Sequence, residues 1–264
     1  MTRRTRAIEG STAHRPWPMP KRPWIMFQSW RSLLFAHWPV PFEALRSLVP
    51  RQLELETHDG TAWVGLTPFC LVGLRARLVP PIPGLSTFPE MNLRTYVRVD
   101  DAPGIHFFTL EASSLAAVLF ARLGYRLPYH HARMRIDERD GWISYQSGRR
   151  HGAVAFAGRY RATGPVFRPQ PGSLEYFLIE RYCLYRVLES GAILRAQIHH
   201  RPWSLQLAEA EIARNTVAAA HGISLPPTPP LLHFAARQDT LVWPPERVHP
   251  SPPGLGPEPT PLHV

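Results

Sequence analysis

Lysine is all but missing from this chain: among 264 residues, Lys21 is the only one. Chemistry that needs a buried primary amine, such as Schiff-base formation with a carbonyl, is left with a single candidate near the N-terminus. Cysteine is nearly as scarce. Cys70 and Cys183 stand alone, with no Cys-x-x-Cys spacing, which excludes a disulfide framework or a zinc knuckle and leaves reduced, buried thiols. No His-x-His or His-Glu-x-x-His pattern is present, and no glycine-rich loop opens a helix after a strand. No metal, nucleotide or other cofactor is therefore implied. Apolar runs fall short of the ~18 residues of a spanning helix, and the N-terminus lacks the apolar stretch of a signal peptide. The expectation is a cytoplasmic protein with no membrane partner.

Hydrophobic residues make up 44% of the chain and aromatic residues 11%, enough for one sizeable packed domain. The net charge of +10 and a pI near 10.4 first suggest nucleic acid. Against this, Arg3, Arg4, Arg6, Arg15 and Lys21 lie in the first 23 residues, and the other arginines are scattered singly through strand-like segments. No recognised module or clustered basic helix accompanies the charge. Residues 1–23 read as a mobile basic tail, with no core periodicity and no expected effect of removal on stability. Residues 244–264, with eight prolines, read as a second tail. A single domain over residues 24–243 remains.

Within it, helices are predicted at Pro41–Val49, Ser113–Arg122, Ser173–Leu178 and Asn215–His221, each with a proline or polar start. Strands are predicted at Leu53–Thr57 and Thr61–Val72 around an Asp59-Gly60 turn. Others follow at Met91–Val99, His106–Glu111, Ala132–Ile136, Trp142–Ser147, Ala153–Ala162, Tyr182–Val187 and Ile193–His200. About ten short strands with few helices point to a mainly β, α+β antiparallel barrel or sandwich.

Six segments in order, WRSLLFAHWPVPFEALRSLVP, DGTAWVGLTPF, FPEMNLRTYV, LPYHHARM, SLEYFLIERYCLY and IHHRPWSLQLAEAEI, resemble the YqjF-like proteins of unknown function. That group is similar to the acetoacetate-decarboxylase-like superfamily. The resemblance implies a conical antiparallel β-barrel with flanking helices and an internal ligand cavity. It also implies that Glu90 holds the superfamily's acidic position. The Schiff-base lysine and its neighbour would follow a proline, but here Pro128 is followed by Tyr129 and His130. His37-Trp38-Pro39 stands where the superfamily has an arginine. Without the lysine, acetoacetate decarboxylation is not expected.

Glu90, Asn92 and Arg94 alternate along one strand and share a face. That face is either the polar wall of a cavity, with Arg94 holding a carboxylate through its planar fork, or a solvated surface. Tyr129 and His130 are candidate acid–base groups, with ring packing and backbone hydrogen bonding as the plain alternative. The pairs His130-His131 and His199-His200 would point to opposite faces of a strand and so could not jointly bind an ion. Glu180 and Arg181 could line a cavity mouth or a salt-bridged surface. Three functions fit: a non-Schiff-base enzyme acting on a small organic acid or carbonyl compound, a non-catalytic small-ligand binder, or a charge-driven nucleic-acid binder. A homo-oligomer is compatible with each.

Overall fold

The computed structural model describes residues 2–150 and 152–250. In chain order the elements are α1 (Arg3–Glu9), β1 (Met26–Val40), α2 (Phe42–Arg46), β2 (Glu54–Leu55), β3 (Ala62–Ala76), β4 (Phe88–Val99), β5 (Ala102–Ala112) and α3 (Leu115–Tyr125). There follow β6 (Tyr129–Arg139), β7 (Trp142–Arg149), β8 (Ala155–Phe167), α4 (Leu174–Ile179), β9 (Cys183–Val187), β10 (Ile193–His200), β11 (Leu205–Asn215), β12 (Leu231–Val242) and β13 (Glu246–Val248).

All thirteen strands belong to one sheet whose pairings return on themselves. The strands β12, β1, β3, β4 and β5 form a wall shared by two closed circuits. On one side β6, β7, β8 and β11 complete the ring. On the other, β9 pairs with β5, and β10 pairs with both β9 and β12. The wall is therefore buried on both faces. From β4, Met91, Leu93, Val97 and Val99 join a core with Ile143, Tyr145, Phe156 and Tyr160 of β7 and β8. The opposite face of β4 turns towards α3, α4, β9 and β10.

Local chemistry explains most boundaries. Asp59 and Gly60 both adopt left-handed φ (48° and 76°), the geometry of a tight turn whose twist matches its flanking strands. The Oγ of Ser114 caps α3 by accepting from Ala117 N, and Ser173 caps α4 through Tyr176 N. The expected last helix shrinks to one 3-10 turn, Ala219–His221, closed by Gly222 at φ 74°. Asn215 stays in β11 and accepts from Val217 N at 3.2 Å, a local bond that competes with helix formation. Three long strands, β1, β11 and β12, escaped the sequence reading; β1 and β12 are buried on both faces along most of their length and lack a two-residue alternation.

The N-terminal segment is a correction to the expected mobile tail. The helix α1 buries Thr5 and Ile8, and Ile8 packs with Trp24, Phe27, Leu241 and Trp243. Arg15 is 8% exposed. It donates to Ile198 O at 2.6 Å and Gln197 Oε1 at 2.9 Å, and stacks over Trp17 and Tyr182. Burial pushes its guanidinium down to about 10. Its anchors, Ile8, Trp17, Met19 and Arg15 among them, are spaced irregularly and so do not show as a period. At the other end, Glu246–Val248 pairs with β10, so the strand structure runs past residue 243. The rest of the expected proline-rich tail, residues 251–264, lies outside the described residues.

Removing residues 2–22 should therefore destabilise the protein. Losing one buried isoleucine and several buried hydrogen bonds is worth about 3 kcal/mol, or roughly 6–12 °C in melting temperature for a domain of this size. Thermal unfolding of the truncated and full chains measures this, and equal midpoints would show that the segment carries no load.

Candidate active site

A pocket of about 140 Å³ lies against the wall, on the side closed by β9, β10, α3 and α4. Its polar floor comes from β4. Alternation projects Glu90, Asn92 and Arg94 to one face, and all three are buried, at 5%, 6% and 7% exposure. Thr67 of β3 sits directly opposite Asn92 in the antiparallel register and also faces the pocket.

Glu90 is held from two directions. Its side chain accepts the Tyr129 hydroxyl at Oε1, 2.9 Å away. Its main-chain carbonyl accepts the hydroxyl of Tyr145 at 2.7 Å, reaching from the core on the far side of the wall. Burial raises the carboxyl from its ordinary value to about 8, with the Tyr129 hydrogen bond opposing only part of the rise. Tyr129 itself is pushed well above the usual phenol range, first by burial and then by Glu90. At neutral pH the pair is therefore a neutral acid hydrogen-bonded to a neutral phenol. Tyr129 opens β6, where Leu110 N donates to Pro128 O and Leu110 pairs with Tyr129, and this short parallel register turns the ring inward.

Arg94 supplies the opposite end of the floor. Its Nη2 donates to Leu178 O at 3.3 Å, and its guanidinium lies over the Phe35 and Tyr96 rings at 5.3 and 5.9 Å. Among the described residues no carboxylate forms an ion pair with it. Its Nε has no partner, and neither do Asn92 Oδ1, Thr67 Oγ1 and Trp203 Nε1, all on pocket-lining residues. Buried polar atoms are almost always satisfied, so four orphans around one pocket are a recognition signal.

Arg181, only 4% exposed, also lines the pocket, but it is committed elsewhere. It pairs with Glu56, donates to Phe177 O and stacks over Tyr96 and Phe177. Glu180 is likewise buried and used, accepting from Trp203 N and the Tyr182 hydroxyl. Both are interior groups, not a solvated face.

His130 does not join the site. As the residue after Tyr129 on a strand, it points to the other face and is not among the lining residues. Burial and the charge of Arg149 hold it down at about 4, so it is neutral at neutral pH. His199 and His200 also diverge: His200 lines the pocket, whereas His199 bonds Ile8 O on the reverse face. Among the described residues no three His, Cys, Asp or Glu side chains converge as a metal-ligand set. Cys183 touches the pocket, but burial lifts its thiol to about 11, so no thiolate nucleophile exists there at neutral pH. Lys21 is exposed and does not reach the pocket.

Sequence reasoning missed Thr67 and His200 as pocket residues. Thr67 is identified only by its register opposite Asn92. His200 becomes a lining residue only because β10 closes over the wall, a long-range pairing with no local signature.

Among the described residues no helix is long and apolar enough to cross a membrane. The uncharacterised protein YqjF of Bacillus subtilis (strain 168) is 49% identical over 227 residues, covering 86% of this chain and 93% of that protein. Among solved structures, the enduracididine biosynthesis enzyme MppR complexed with pyruvate matches with a TM-score of 0.62 at 10% identity, covering 88% of this chain and 93% of that one. An acetoacetate decarboxylase matches with a TM-score of 0.57 at 12% identity, covering 95% and 99%. An acetoacetate decarboxylase-like enzyme from Sphingomonas wittichii RW1 matches at 0.59 and 12%, covering 91% and 100%. The fold is thus mainly β and acetoacetate-decarboxylase-like. Residues 27–239 match the DUF2071 model, an uncharacterised conserved protein, and the chain belongs to that family.

Proposed function

We propose that this protein binds a small organic acid in the pocket between the wall and β9–β10 and acts on it by proton transfer, without a Schiff base. The observation that carries this reading is the buried, unpaired Arg94. A cation withdrawn from water without a counter-charge costs on the order of several kcal/mol, and a ligand carboxylate offsets that cost through the guanidinium's planar fork. Glu90 cannot serve as the counter-ion, because at neutral pH it is protonated.

In this reading the ligand carboxylate sits on Arg94 and accepts the Thr67 hydroxyl. Glu90 is the proton donor or acceptor, its carboxyl raised to about 8, close to neutral pH. Tyr129 orients the Glu90 carboxyl and stabilises its ionised form once the proton has left. The two closed circuits of strands are read as the conical barrel of the acetoacetate-decarboxylase-like fold. MppR, a relative in fold, is complexed with pyruvate, itself a small acid, which is consistent with a carboxylate ligand here.

A second reading, a binding protein without turnover, is favoured by one feature: apart from the β4 floor the walls are largely aliphatic and aromatic. Both readings place the acid on Arg94 and differ only in whether Glu90 exchanges a proton with it.

Pyruvate titrated by calorimetry at pH 7 is expected to bind the native protein. Arg94→Met should abolish binding at no loss of melting temperature, since it removes an uncompensated buried charge. Equal binding by the variant would place the anion elsewhere. For the covalent alternative, borohydride treatment in the presence of acetoacetate should leave peptides from residues 24–243 unlabelled. A stable adduct on any of them would overturn the amine argument.

A further inference from the structure

The pocket has a second end that the polar floor does not explain. Tyr129 packs against two separate apolar clusters. One, around Phe35, Phe69 and Trp203, runs along the floor, with Phe35 under the Arg94 guanidinium and Phe69 opposite Glu90 in the β3–β4 register. The other contains Leu110, Leu127 and Val242, with Met26, Leu184 and Ile198 packed on it, and these side chains also line the pocket. The hydroxyl of Tyr125, a member of this cluster, is already used, donating to Trp243 O at 3.3 Å. All four orphaned polar atoms of the pocket belong to the first end or the floor.

Two observations restrict what fits. The pocket volume is about 140 Å³, close to the roughly 150 Å³ of an apolar cavity that admits one benzene. Arg94 pairs with Phe107 across β4 and β5, and Phe107 packs on the second cluster, so an acid seated on Arg94 has that cluster within reach of a compact group. A long alkyl chain exceeds the volume, and a two-carbon acid leaves the apolar end empty.

Resting on the carboxylate reading above, we infer that the ligand is a carboxylic acid bearing one compact apolar group, a single ring or a short branched chain, seated on the second cluster. The carboxylate takes the Arg94 end, and the apolar group takes the space between Leu127, Leu184 and Ile198. Recognition is then split: charge selects acids, and shape selects among them.

The test is an affinity series with acetate, 3-methylbutanoate, phenylacetate and dodecanoate on the full chain at pH 7. Each buried methylene strengthens binding about fourfold, so 3-methylbutanoate and phenylacetate should bind roughly tenfold or more tighter than acetate. Dodecanoate should gain nothing further. Phenylacetate should also move the methyl resonances of Leu184 and Ile198 by ring-current shifts, a readout that needs no variant. Ala121→Phe, which narrows the pocket from α3, should erase the preference for phenylacetate over acetate.

Equal affinities across the series, unmoved methyl resonances, or affinity that rises through dodecanoate would overturn the inference while leaving an anion site intact. Failure of all four acids to bind would remove the anion site and overturn the inference with it.

Discussion

A strand buried on both faces has no solvent to which it can turn its polar side chains. The strand β4 meets that constraint with one apolar face in the core shared with β7 and β8, and a second face carrying Glu90, Asn92 and Arg94 into the space beneath β9 and β10. Packing that second face tightly would strand a carboxyl, an amide and a guanidinium in hydrocarbon. A pocket is the arrangement the rest of the molecule permits. The closing pairs β5–β9 and β10–β12 make the enclosure, and Arg15 holds β10 from outside through Ile198 and Gln197. The N-terminal segment thus bears on the site without touching it.

The floor resolves its electrostatics unequally. Glu90 avoids the cost of a buried charge by keeping its proton. In the unfolded chain it would lose that proton near 4.5, so between that value and about 8 only the folded state holds it. This contribution favours folding at low pH and declines as pH rises to about 8, the reverse of a salt-bridged carboxylate. Arg94 has no such escape, because a guanidinium stays charged. One end of the floor is neutral by protonation and the other remains cationic, and this asymmetry gives an entering acid both its orientation and its proton partner.

Much of this was legible before any coordinates. The i, i+2, i+4 placement of Glu90, Asn92 and Arg94 put them on one face, but pattern alone favoured a solvated face, because a single strand does not reveal what covers it, and only the resemblance at Glu90 balanced the two readings. Turn and cap chemistry located Asp59-Gly60, Ser114 and Ser173 from local residues. The elements that escaped, β1, β11 and β12, are long strands defined by partners far away in sequence. The pair Tyr129-His130 shows the same limit: a one-residue step on a strand sends one side chain into the pocket and the other to the opposite face. Arg181 is buried because Glu56, 125 residues away, neutralises it.

The most direct measurement is a carbon-13 titration of the Glu90 side-chain carboxyl by NMR, identified by its loss in Glu90→Gln. The expected midpoint is about pH 8 in the free protein, moving higher when a carboxylate occupies the Arg94 end and adds a negative charge nearby. Acid affinity should fall correspondingly as pH rises through that midpoint. A carboxyl titrating near 4, the ordinary range for glutamate, would contradict a buried neutral acid and with it the division of labour between Glu90 and Arg94.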